Sequence, residues 1–182
     1  MTEAARAAPR PRTMENAGVE RHIPDPGFAG DTGEADASLA AALAAYSRDE
    51  VPHGDVLFAL QDARLLVPVV AVLGEVEYDD RGLAHDKTSD MAAVLMQGAD
   101  GRLALLAFTS TEALAQWNPD ARPVPVAAKL AAQSTVQEEA AALVLDIAGP
   151  TTYVLEGDDL GALASGWRLA RVGDQTAWLA AP

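Results

Sequence analysis

Cysteine is absent from this 182-residue chain, which excludes disulfides, thiolate nucleophiles and Cys-based zinc sites together. Basic residues are few, 13 against 27 acidic ones, giving a net charge of −14. A chain this acidic repels phosphate backbones and anionic lipid heads, so neither nucleic acid nor a membrane surface is an expected partner. No apolar run is long enough to span a bilayer. The first residues carry arginines but no apolar h-region, so no signal peptide is expected and a cytoplasmic location follows. Phosphate cradles of the Gly-x-Gly-x-x-Gly or Walker type are missing, and no serine sits in Gly-x-Ser-x-Gly or Ser-x-x-Lys. The three histidines, at 22, 53 and 85, have no second ligand at metal spacing. A calcium loop begun at Asp79 would put Arg81 and Leu83 where oxygen ligands are needed. No metal or cofactor is therefore expected, and no complete catalytic set stands in the sequence.

What is present is enough for a core. Hydrophobic residues make up 49% of the chain, much of it alanine, so the burden falls on Leu, Val and Phe. Residues 1–34 are rich in Ala, Pro, Arg and Gly without periodicity and read as a disordered arm. Arg6, Arg10 and Arg12 outnumber Glu3 in its first part, so docking in trans on the acidic body is the second reading. Residues 35–182 are expected to form one domain. Helices are predicted over 36–50, after Thr109 and up to Trp117, over 127–142 and over 158–166. Strands are predicted over 55–60 and 65–73 as a hairpin, with Pro68 marking an edge or a bulge. Further strands are expected over 91–97 and 102–108 around the Asp100-Gly101 turn, over 124–126, 142–148 and 151–156, and in a last hairpin around Gly173-Asp174. Residues 74–90 read as a long polar loop. The fold class is α/β (α+β): a mixed sheet of about five to seven strands with hairpins, packed by three to four helices.

The conspicuous polar residues each have a structural reading beside a functional one. Thr109 and Glu112 fit a capping box, with the Thr109 hydroxyl accepting from the Glu112 amide. Pro123 and Pro125 stand two apart, so both remove donors from one side of an edge strand and blunt it against further pairing. Trp117 is a lid on the core or an exposed anchor for a partner. Arg122 pairs locally with Asp120 or presents its fork outward. Asp146, inside an apolar strand, binds backbone amides near Gly149 or serves a function. Lys87, beside Asp86 and Asp90, reads as a surface ion pair or a tuned amine.

The segments DKTSDMAAVLM, ADGR and ALLAFTS, then Trp117, DARPVPV and LVLDIAGP, resemble the SseB protein N-terminal domain family in its actinobacterial form, from about Leu39 to Trp167. Enterobacterial members resemble it too but are longer, with a second C-terminal domain. The resemblance implies an α/β fold and no established enzymatic activity. The expected function is a non-enzymatic cytoplasmic interaction or regulatory domain with a protein partner, using a surface around Trp117, Asp120 and Arg122. The alternatives are a small-molecule binder or enzyme whose pocket gathers Lys87, Asp90, Arg102 and Asp146 near strand ends, and a structural homo-oligomer.

Overall fold

Helical spacing of Leu39, Leu43 and Tyr46 yields α1 (Ala37–Tyr46), with both leucines buried. The Asp36 carboxylate caps it, accepting from the Ser38 and Leu39 amides at 2.9 and 3.0 Å. Pro52 then opens a second helix, α2 (His53–Leu60). The strand expected over 55–60 is corrected here, and with it the hairpin to 65–73. Val56, Leu57 and Leu60 fall on one helical face and are buried, while Phe58 is left outside. A short apolar run carries both periods, and here α2 packs on α1.

The computed structural model describes residues 28, 30–72, 77–78, 84–85, 90–173 and 175–180. Most of the arm and of the 74–90 loop lies outside these. After β1 (Arg64–Val72) come two short strands that pair with each other, β2 (Glu77–Tyr78) and β3 (Ala84–His85). Then β4 (Asp90–Ala93), β5 (Leu95–Gln97) and β6 (Leu103–Ala107) follow, with β5 and β6 joined by the expected turn at Asp100-Gly101. Gly101 has φ +82°, the left-handed conformation that the turn needs.

The rest of the chain supplies α3 (Thr111–Trp117), β7 (Arg122–Ala127), α4 (Ala128–Gln137), β8 (Ala142–Leu145), β9 (Tyr153–Glu156), α5 (Gly157–Ala164) and the hairpin β10 (Arg168–Val172) with β11 (Gln175–Leu179). One sheet runs β4-β1-β7 and the other β5-β6-β8-β9, where only β6 and β8 are parallel. The two meet at a corner, where Leu66 and Phe108 exchange backbone bonds of 2.8 Å each. The fold is α+β, with five helices among the described residues, α2 being the one that was expected as a strand.

Pro68 corrects another expectation, because β1 is the centre of its sheet and not an edge. Pro68 stands opposite Pro123, a pair that has no N–H to exchange, so the polar groups of both point away from each other. The Pro68 carbonyl instead accepts from Val94 at 3.1 Å. Val94, facing the missing donor, is the break between β4 and β5, and its carbonyl accepts from Leu106 at 3.3 Å. The same geometry turns Pro123 and Pro125 toward the outside of β7, which is an edge strand as expected.

The main core lies between the inner sheet face and the helices α1, α2, α4 and α5. Leu105, Leu143, Leu145 and Leu155 are wholly inaccessible there. The C-terminal hairpin docks through Gln61, whose buried amide donates to the Leu169 carbonyl at 3.2 Å and accepts from the Leu169 N–H at 2.8 Å.

Candidate functional site

The end of β6 and the start of α3 show how polar groups are used here. The expected capping box shifts by one residue: Ser110, not Thr109, caps α3 by accepting from the Ala113 amide at 3.1 Å. Thr109 turns the other way. Its hydroxyl and its N–H both donate to the Asp146 carboxylate, at 2.7 and 2.9 Å. Asp146 follows β8 with φ +51°, a left-handed conformation that aspartate tolerates better than most residues. The Asp146 amide still reaches the Ala107 carbonyl at 3.1 Å, and its carbonyl accepts from Gly149 at 2.8 Å. Burial raises the pKa of this carboxyl above the usual carboxylate range, and the two Thr109 bonds offset part of that rise. Its partners are thus Thr109 and not, as expected, the amides near Gly149. It floors a cleft of about 280 Å³ between α1 and α3, walled by Ala40, Leu43, Ala113, Gln116 and Pro150.

Gly33 fastens the chain before α1 to this region. It has φ +78°, accepts from the Thr111 amide at 2.8 Å, and lies so near the Thr111 side chain that a Cβ would meet it at 2.4 Å. Only glycine fits there. Arg64 adds a salt bridge to Asp31 at 2.9 Å and a bond to the Thr109 carbonyl at 2.9 Å.

The proposed surface residues divide. Trp117 is half-buried and packs on Phe108, ring centroids 5.4 Å apart, which is the lid reading. Asp120 and Arg122 are exposed, and no bond links them; the Asp120 amide is held by Asn118 at 3.0 Å. The four-residue pocket is not assembled. Arg102 precedes β6 and pairs with Asp100 at 2.6 Å and Glu156 at 3.0 Å. Asp146 follows the other end of the neighbouring parallel strand. At about 3.3 Å per residue the two stand about 20 Å apart along the strands. Lys87 and the Asp90 side chain lie outside the described residues.

The larger feature is one that the sequence did not announce: the outer face of the four-stranded sheet. Met96, Ala104 and Ala142 form one row across β5, β6 and β8, and Leu106, Val144 and Val154 the next across β6, β8 and β9. Leu114 and Trp117 of α3 cover one end of this second apolar cluster. The other end is an open groove of about 430 Å³, floored by Ala104, Ala142 and Val144 and rimmed by Asp100, Arg102 and Glu156. Val154 is 43% exposed on it.

A second polar cluster joins residues far apart in sequence. Asp159 accepts from the Trp178 indole N–H at 2.7 Å and lies 3.2 Å from His53 Nε2, while the Tyr153 hydroxyl lies 3.0 Å from His53 Nδ1 and 3.3 Å from Nε2. His53 and Tyr153 stack at 5.1 Å. Burial, and then the Asp159 charge, push the Tyr153 phenol far above its usual range, so it stays protonated. The cluster ties α2, β9, α5 and β11 together. α5 has no side-chain cap bond, and the Asp159 carboxylate is used here.

The family model of the SseB protein N-terminal domain matches residues 39–162, which includes the second apolar cluster, most of the main core and the Asp146–Thr109 pair. No curated relative and no solved structure matches the chain.

Proposed function

This chain belongs to the SseB protein N-terminal domain family, and from that premise we propose that it is a non-enzymatic interaction domain whose contact surface is the outer face of the four-stranded sheet. The observation that carries this reading is the open groove beside Val154. An apolar concavity left uncovered on a sheet, with a charged rim, is the form that partner surfaces take. Its floor is built of alanines and valines, small enough to admit a partner's side chains. The polar groups nearby are occupied: Arg102 by Asp100 and Glu156, Asp146 by Thr109. Arg122 and Asp120 flank the α3 end of the same face and contribute at its margin. The compartment expected for this role is the cytoplasm.

The test is Met96→Glu, which puts a carboxylate on the groove without touching the inner core. Circular dichroism of the variant should match the wild type. Partner recovery from native lysate should fall at least tenfold, because desolvating an unpaired charge at a contact is costly. Unchanged recovery would remove the groove from the interface. Concentration-dependent dimerisation that Met96→Glu abolishes would instead identify a second copy as the partner.

A further inference from the structure

Resting on that reading, we propose that the partner enters as an extended strand added to β9, and that it carries apolar residues alternating with basic ones. The inference begins with the two outer edges of the joined sheets. On β7, Pro123 and Pro125 both face outward and offer no donor, so that edge is closed to pairing. On β9 the outward positions follow from the ladder. The Asp146 amide bond to Ala107 continues the β6–β8 ladder, so Val144 and Ala142 point their polar groups at β6. Leu143 and Leu145 then face Leu155 and Tyr153. Val154 is left with its N–H and C=O directed away from the sheet. Among the described residues nothing bonds to either group.

The same residue places its side chain on the groove. A strand hydrogen-bonded to Val154 would therefore stand every second side chain beside Val154, extending the apolar face by one strand. The charge of the chain sets that of the partner. Asp100 and Glu156 on the rim are both paired with Arg102, while the chain as a whole carries a net charge of −14. Lysine or arginine between the apolar positions would point to the face opposite the groove and complement that net charge. A second copy would bring the same acidic residues against themselves, which disfavours it.

A short synthetic peptide alternating lysine and valine is the probe, measured by fluorescence anisotropy against the full chain at moderate salt. Its partner control is the same peptide N-methylated at alternate residues, which keeps charge and side chains but removes the donors on one edge. The unmodified peptide should bind, and the N-methylated one should bind at least tenfold more weakly. Val154→Pro transplants the blunting of β7 onto β9 without removing a ladder bond, and should weaken the unmodified peptide by a similar factor. Hydrogen exchange at the Val154 amide of the wild type, fast alone, should slow on peptide binding, a readout independent of whether the proline variant folds. Equal binding of both peptides, no binding, or an unprotected Val154 amide would each overturn strand addition. Loss of partner recovery in Met96→Glu together with any of these would leave the groove as an interface and remove only the added strand.

Discussion

The two faces of the four-stranded sheet are made by alternate residues of the same strands, yet they are built differently. The inner face presents Leu105, Leu143, Leu145, Leu155 and Tyr153, each at most 1% exposed, beneath four helices. The outer face presents Leu106, buried with Leu114 of α3, and Met96, Ala104, Ala142, Val144 and Val154 toward the end that this short helix leaves open. Large leucines bury several times the area of alanine, so the inner face carries the stability of the domain. The outer face has little area to lose and keeps a groove open. The difference teaches that an alternating pattern can divide its two sides between folding and contact, with smaller residues where the outer face stays open and Leu106 where α3 covers it.

Truncation tests this division most directly on the inner face. Leu143→Ala should cost about 2–5 kcal/mol in urea denaturation, the range for a fully buried leucine. A cost no larger than at an exposed position would mean that the inner face is not the core. Asp146→Ala, at the end of β8 where the faces meet, should cost about 2 kcal/mol. It strands two buried Thr109 donors and puts alanine at positive φ, while removing a desolvated carboxylate. Asp146→Asn keeps acceptor and backbone conformation and should sit near the wild type. Its pH profile sharpens the point. Because the folded pKa of Asp146 is raised, the native state binds the proton more tightly than the unfolded chain. Its contribution is full below about pH 4 and is lost as pH rises through the folded value. The asparagine variant should lack that decline. Smallest of all, Val154→Ala should alter stability by no more than about 0.5 kcal/mol. A cost rivalling that of Leu143→Ala would show that the outer face is core and no groove at all.

Much of the architecture was legible from residue pattern. The helix begun near Asp36, the Asp100-Gly101 turn, the edge character of the Pro123–Pro125 strand and the C-terminal hairpin all depend on groups within a few residues of each other. The misreadings share one cause. Residues 55–60 hold too few positions to separate a strand from a helix, and α1 decided between them. Thr109 had a sufficient local partner in the Glu112 amide and took a distant one in Asp146, 37 residues on. Pro68 was read as an edge or a bulge because a proline removes a ladder donor, and here the missing donor faces Val94, at the break between β4 and β5. The cluster of His53, Tyr153, Asp159 and Trp178 left no sequence signal, since its members are up to 106 residues apart from their bonded partners. The open groove left none either: its alanines are ordinary in a chain so rich in alanine.

Short-range chemistry in the chain was therefore enough to give an acidic α+β protein with its turns in place, and the likeness of its segments gave the SseB domain family. Which polar group serves which, and where an apolar face stays uncovered, was decided only in three dimensions. The physical reason is that a hydrogen bond or a buried contact depends on distance in space, and the chain's own order fixes that distance only over a turn or two.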